Sequence, residues 1–246
     1  MSLAAYTDIK GWNQIAGSIN CYSHRACALD SASDVDKNGS IQKRSSTSDA
    51  WGGAMQQGTG WYYVEGTVTV PYVSGQGSNY AVSAWVGIDG WSCNNAILQT
   101  GINIYGDGTL GGWTQWYPSP SKWYDTRLSF QAGDNIRMTV SASSATDGTT
   151  TLTNLRTGQT VTQQWYGMAP ICGNTAEWIV EDFTGYDGYH VPLANFGSIP
   201  FYNTVASGNR GNVNAVGADI VNIVVNGRYK TDCGSNQNGV QCNYLN

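Results

Sequence analysis

Strand-like runs broken by turn dipeptides constrain this chain more than any other feature. Residues 64–70 alternate in side-chain character and stop at Pro71, and residues 81–88 stop at Asp89-Gly90. Residues 136–142, 149–155, 176–183 and 221–225 read likewise. A period of two marks a strand with different faces. Asp107-Gly108, Asp147-Gly148 and Asn226-Gly227 are hairpin-type dipeptides, since glycine and asparagine tolerate the positive φ of such turns. No segment of ten or more residues carries a helical period. Many short strands over about 200 residues predict one all-β domain, a large antiparallel sandwich or barrel.

Composition narrows the function. Charged residues make up 12% of the chain, about half the usual share of roughly 25%. Seventeen acids stand against 12 bases, for a net charge of -5. That balance, with no cluster of Lys and Arg, excludes a nucleic-acid binder, which needs a basic stripe. No apolar run approaches the ~20 residues that span a bilayer. Aromatics at 12% supply surface to bury and exclude a disordered chain. An acidic chain with few cations and many Gly, Trp and Tyr residues reads as a secreted protein that works in acid. Little positive self-repulsion then appears when its carboxylates protonate.

Six cysteines agree with secretion: Cys21, Cys27, Cys93, Cys172, Cys233 and Cys242. Six cysteines allow 15 pairings. Short spacing suggests Cys21 with Cys27 and Cys233 with Cys242, which leaves Cys93 with Cys172. No CxxC pair is present, which argues against a zinc ribbon. No apolar stretch follows Met1-Ser2-Leu3, so the chain reads as one whose leader has been removed.

The residues left for chemistry are few. Histidine occurs only at His24 and His190, and no Gly-x-Ser-x-Gly elbow accompanies them. His190 is read as structural. An enzyme built on this chain would run on carboxylates, amides and hydroxyls. There are three glutamates, Glu65, Glu177 and Glu181. Glu177 and Glu181 share one strand and one face, with Ile179 and Phe183; Trp178, Val180 and Asp182 take the other. Four residues span about 13 Å of strand, too far for the pair of a glycosidase, whose carboxyls stand roughly 5 to 9.5 Å apart.

Several runs then become specific. They are Trp51-Gly52-Gly53-Ala54, Trp85-Val86-Gly87-Ile88-Asp89-Gly90, Ala96-Ile97-Leu98-Gln99-Thr100-Gly101 and Tyr105-Gly106-Asp107-Gly108. Trp113-Thr114-Gln115-Trp116-Tyr117-Pro118, Leu155-Arg156-Thr157-Gly158-Gln159 and 176–183 complete the set. Together, from about residue 50 to 246, they resemble the glutamic peptidases of the eqolisin family. The resemblance implies an antiparallel β-sandwich of two large sheets, concanavalin A-like. It implies a catalytic dyad of Gln99 and Glu181, with Trp51, Trp85, Asp89, Tyr105 and Gln115 lining a substrate cleft. It also implies the disulfides Cys93–Cys172 and Cys233–Cys242. A third family disulfide has no counterpart in 184–192. Gln115 and Asn103 stand where the family pattern has acids. Core packing is the competing reading for the tryptophans, and a turn for Asp89.

By that resemblance Glu181 activates a water against the scissile carbonyl, and the Gln99 amide donates to the developing oxyanion. Neither a metal nor another cofactor nor a covalent intermediate is required. An ordinary glutamate titrates near 4.3, which suits a base working around pH 3 to 5. The alternatives from other classes are a carbohydrate-binding or carbohydrate-hydrolysing sandwich and a silent wall protein on the same fold.

Residues 1–44 differ from the rest. They carry five bases and four acids, net +1, against net -6 for 45–246. The Ser- and Asp-rich stretch 30–49 reads as an exposed linker, ending near Lys43-Arg44. Asp34 to Ile41 mimics the start of a calcium loop, but Ser45 stands where a bidentate Glu belongs, so it reads as a solvated turn. Asn38-Gly39-Ser40 is a glycosylation sequon. Residues 1–44 are expected to be a propeptide, cut after Arg44 and docked on the acidic catalytic domain 45–246. The expected partners are polypeptide substrates and this propeptide, with the domain acting as a monomer.

Overall fold

The computed structural model describes residues 45–124, 128–185 and 189–246. The extension at 1–44, with Cys21, His24, Cys27, Lys43 and Arg44, lies outside the described residues. The described chain is all β: β1 (Ser45–Ser48), β2 (Trp51–Gln57), β3 (Trp61–Thr69), β4 (Gly77–Ile88), β5 (Ile97–Gly106), β6 (Leu110–Tyr117), β7 (Lys122–Trp123), β8 (Asn135–Ala142) and β9 (Gly148–Asn154). They are followed by β10 (Thr160–Trp165), β11 (Thr175–Glu181), β12 (Ser198–Gly208), β13 (Gly211–Val213), β14 (Asp219–Val225), β15 (Arg228–Tyr229), β16 (Thr231–Asn236) and β17 (Gly239–Tyr244).

The strands form two sheets. A nine-stranded sheet runs β1-β14-β2-β11-β4-β5-β6-β7, with β15 beside β14; an eight-stranded sheet runs β10-β9-β8-β3-β12-β17-β16, with β13 beside β12. Pairing is antiparallel except between β1 and β14, which run parallel from Ser45↔Ile220 to Ser48↔Ile223. The sandwich is thus antiparallel as expected, with one parallel pair at the edge of the larger sheet. Asn226 and Gly227 both take positive φ, 52° and 74°, and turn β14 into β15, as the dipeptide predicted.

Alternation places the core. Val82, Ala84, Val86 and Ile88 of β4, with Ala176, Trp178 and Val180 of β11, face Val64 and Val68 of β3 and Ile136, Met138 and Val140 of β8. The opposite face of the nine-stranded sheet is also covered. Trp51, Met55, Trp85, Ile97, Trp113, Ile179 and Val221 form a second buried cluster there. Every residue of β5 and β11 is therefore buried. Strands covered on both faces lose clean hydrophobic alternation, which explains why 176–183 carries apolar and acidic side chains on both faces.

Cross-links brace both sheets. Cys93–Cys172 ties the loop after β4 to the approach to β11, and Cys233–Cys242 joins β16 to β17. Asp134, 2% exposed, accepts from Arg156 and from Asn154 Nδ2 at 2.8 Å beside β8. The Arg156 guanidinium holds the Asp134 carboxyl down at about 2.

Candidate active site

Register builds the site. Glu181 lies opposite Trp51 on β2 and Ser83 on β4, and Ser83 opposite Asn103 on β5. Two residues along, Ile179 lies opposite Trp85, Trp85 opposite Gly101, and Gly101 opposite Trp113 on β6. Two further, Glu177 lies opposite Gly87, Gly87 opposite Gln99, and Gln99 opposite Gln115. These three rows share one face, because side chains repeat every second residue. Gln99 and Glu181 thus sit diagonally across β4, two strands apart and four residues along.

Trp85 lies on the strand between them. Its indole Nε1 donates to Glu181 Oε2 at 2.8 Å. Its six-membered ring covers Gly87, where a Cβ would meet Cζ3 at 2.8 Å. Glycine at 87 is what lets that ring lie flat along the strand. Trp51 meets Trp85 edge-on, with centroids 4.9 Å apart. Both expected cleft tryptophans are buried, and Trp85 fixes one oxygen of the carboxylate.

Gln99 is 2% exposed and Glu181 3%. Gln99 Nε2 donates to Gln115 Oε1 at 2.9 Å, and Gln115 Nε2 donates to the Ser119 carbonyl at 2.9 Å. Gln99 Oε1 has no hydrogen-bond partner among the described residues. Trp113 Nε1 donates to Ser83 Oγ at 3.1 Å, and Asn103 Nδ2 reaches Tyr105 Oη at 3.4 Å. Burial pushes the Tyr105 phenol up to about 12, so it stays protonated in acid. Asn103 Oδ1 is also buried and unpartnered among the described residues.

Two carboxyls have other occupations. Asp89 accepts four backbone N–H groups, from Cys172 at 2.6 Å, Gly173 at 2.7 Å, Asn174 at 2.6 Å and Thr175 at 3.3 Å. Both its oxygens accept from that cradle and its side chain is fully buried, so it fastens the start of β11. It takes the turn conformation that the competing reading allowed, with φ 69°. Cys93 and Cys172 lie beside it with their sulfurs bonded to each other. Glu177 is fully buried and accepts from Thr175 Oγ1 at 2.7 Å. Burial pushes its carboxyl well above the usual glutamate range, so in acid it is neutral. Glu65 lies on β3 in the other sheet, accepting from Tyr63 Oη at 2.7 Å, and cannot join either glutamate of β11.

His190 is exposed and pairs outside the three rows. Its Nε2 lies 2.8 Å from Oδ1 of Asp182, the residue after Glu181. Burial, opposed by that imidazole, pushes Asp182 up to about 6. The structural reading of His190 agrees with this pairing.

An oriented carboxylate and an oriented amide thus share one dry face of the nine-stranded sheet. The model of the peptidase A4 family matches residues 49–244. The chain belongs to that family. Among its relatives is scytalidopepsin B of Scytalidium lignicola, 38% identical over 211 residues that cover 82% of this chain and 80% of that protein. Scytalido-glutamic peptidase, crystallised with a transition state analog inhibitor, superposes with a TM-score of 0.76 at 38% identity, over 80% of this chain and 98% of that one. Aspergilloglutamic peptidase of Aspergillus niger follows with a TM-score of 0.64 at 36% identity, over 68% and 99%. This member of the peptidase A4 family is a peptide hydrolase with the sandwich fold of those eqolisins, and polypeptides are its substrates.

Sequence reasoning missed Ser83 and Trp113 in this A4 site. Each lies two residues from a residue it did name, Trp85 and Gln115, so strand alternation was the available signal.

Proposed function

We propose that this A4 peptidase is a secreted acid endopeptidase in which Glu181 and Gln99 perform the hydrolysis. Glu181, ionised, takes a proton from a water whose oxygen bonds to the scissile carbonyl carbon. The carbonyl oxygen becomes an oxyanion and receives a hydrogen bond from the free N–H of Gln99. Glu181 then gives the proton to the leaving nitrogen as the C–N bond breaks. A positioned base contributes roughly 10²- to 10⁴-fold, and an oxyanion donor on the order of 10²- to 10³-fold.

The observation that carries this reading is the fixed orientation of both groups on one buried face. Trp85 aims the carboxylate, and Gln115 aims the amide. An amide donates without titrating, so only the base limits work in acid. A neutral Glu177 adds no second negative charge next to Glu181. Two disulfides support secretion.

The test is hydrolysis of an acid-denatured protein between about pH 2 and 7, beside Glu181→Gln. Turnover in the parent alone is expected. Equal turnover in both would remove Glu181 from the centre. Residues 1–44 are proposed to be a basic propeptide released after Lys43-Arg44 in acid. N-terminal sequencing over an acid incubation should find a new terminus near Ser45, and a chain that keeps Met1 at every pH would end that idea.

A further inference from the structure

We propose that Gln115 is a positioning residue for hydrolysis, holding the Gln99 amide in one orientation through a relay that does not titrate. The proposal rests on Gln99 being the oxyanion donor. A free glutamine amide can flip, exchanging its donor and acceptor ends at little cost, and a flipped Gln99 would present oxygen to an oxyanion. The relay removes that freedom from the far end. The Ser119 carbonyl can only accept, so it fixes Gln115 with Nε2 toward Ser119. Gln115 Oε1 must then face Gln99, and it accepts only from Nε2. The chain of three groups therefore ends with one Gln99 N–H spent and one left over.

Burial makes the relay strict. Gln115 is 1% exposed, so water cannot stand in for a lost partner. An unmade hydrogen bond in a dry site costs more than one at a surface. Gln115 lies directly opposite Gln99 across the β5–β6 pair, so a side chain of this length closes the gap without reaching substrate. The relay thus gives Gln115 a different task from the substrate contact implied by resemblance.

Charged and titratable side chains on the neighbouring strands are Tyr80 of β4, Asp89 just after β4, Tyr105 of β5, Tyr117 of β6, Lys122 of β7 and the two glutamates of β11. Lys122 lies over the Trp165 ring at 4.4 Å, Asp89 is held by its backbone cradle, and neither joins the relay. The relay itself holds only amides and a backbone carbonyl. Its geometry is the same at every pH at which the protein is folded.

Two substitutions read this out, measured as kcat and KM against pH with a folded state verified by tryptophan fluorescence. Gln115→Met removes both hydrogen bonds at similar volume. Loose placement of a catalytic group costs up to about 10²-fold, so kcat should fall about 10- to 100-fold with KM little changed and the same profile shape. Gln115→Glu should behave like the parent in acid, where a protonated carboxyl donates to Ser119 and accepts from Gln99. As pH rises, the carboxylate turns a lone pair against the Ser119 carbonyl, and kcat should fall along a new ionisation. A rise in KM with kcat intact would make Gln115 a substrate contact and overturn the proposal. So would an unaltered profile in Gln115→Glu. Turnover surviving in Glu181→Gln marks a different failure, that of the dyad reading, and would overturn the proposal along with it.

Discussion

The two sheets solve the same packing problem differently. In the eight-stranded sheet, β8 and β16 alternate buried with exposed or half-exposed positions, and polar side chains go to solvent. In the nine-stranded sheet, β5 and β11 are buried throughout. Ser83, Gln99, Asn103, Gln115, Glu177 and Glu181 are polar groups kept dry on one face of it. Among the described residues, three of the four buried side-chain atoms without a hydrogen-bond partner, on Gln99, Asn103 and Glu177, belong to this face; Trp61 Nε1 belongs to the other sheet. A buried polar group costs free energy unless it is paired. Both sheets share the core, but the nine-stranded sheet also spends stability on holding polar groups in fixed orientations.

The strongest way to break that comparison is Glu181→Gln. Turnover should fall by roughly 10²- to 10⁴-fold, while the melting temperature holds or rises, since a charge leaves a dry site. A large loss of stability instead would make Glu181 structural.

The cross-links come next. Removing Cys93–Cys172 by a double Cys→Ala change frees a separation of 79 residues, which the chain-entropy account values at about 4–5 kcal/mol. Removing Cys233–Cys242, with a separation of 9, should cost about 3 kcal/mol. Urea titration of both variants checks the order, and a larger loss from Cys233–Cys242 would mean that the short link in the eight-stranded sheet stabilises by more than closing its loop.

Acid should then act on the sheets in opposite senses. Burial raises Glu177 and Asp182, so each holds its proton longer folded than unfolded. Their contribution is full below the unfolded pKa of about 4 and drains away as pH rises, for Asp182 through about 6. Asp134 is lowered to about 2 by Arg156, so its contribution is full above about 4 and is lost as pH falls through about 2. Each group moves stability by up to ~1.4 kcal/mol per pH unit within its window. Glu177→Gln should flatten the high-pH decline, and Asp134→Asn the low-pH one, in melting curves taken from pH 2 to 7. Unchanged slopes would count against both.

The smallest effect is expected from Glu65→Gln, on the outward side of β3. Activity should stay within about two-fold and stability within about 0.5 kcal/mol. A tenfold loss of turnover there would dissolve the division of labour.

Much of this division is legible in the residues themselves. Alternation placed the strands around 64–70 and 136–142, and Asn226-Gly227 placed a hairpin. Choosing Glu181 over Glu177 was beyond alternation, since both share a face, and needed the family resemblance. What distinguishes them is three-dimensional: Glu177 meets Thr175 in a closed pocket, and Glu181 meets an indole from a strand 96 residues away. Asp-Gly signals the turn at Asp89 but not the backbone cradle that its carboxylate holds. The parallel β1–β14 edge has no local signal, since its two strands lie far apart along the chain.

The Asp89 cradle has a consequence in time. Its acceptor leaves the ribosome 83 to 86 residues ahead of the four N–H groups it receives, and β5 to β10 lie between. Until residue 175 has emerged, the Asp89 carboxylate has only water to bind and β11 does not exist. The face that would cut polypeptides therefore cannot assemble on a nascent chain that is still short of this strand. The strand that carries Glu181, the base proposed above, is thus among the later parts of the nine-stranded sheet to be translated, after β2, β4, β5, β6 and β7.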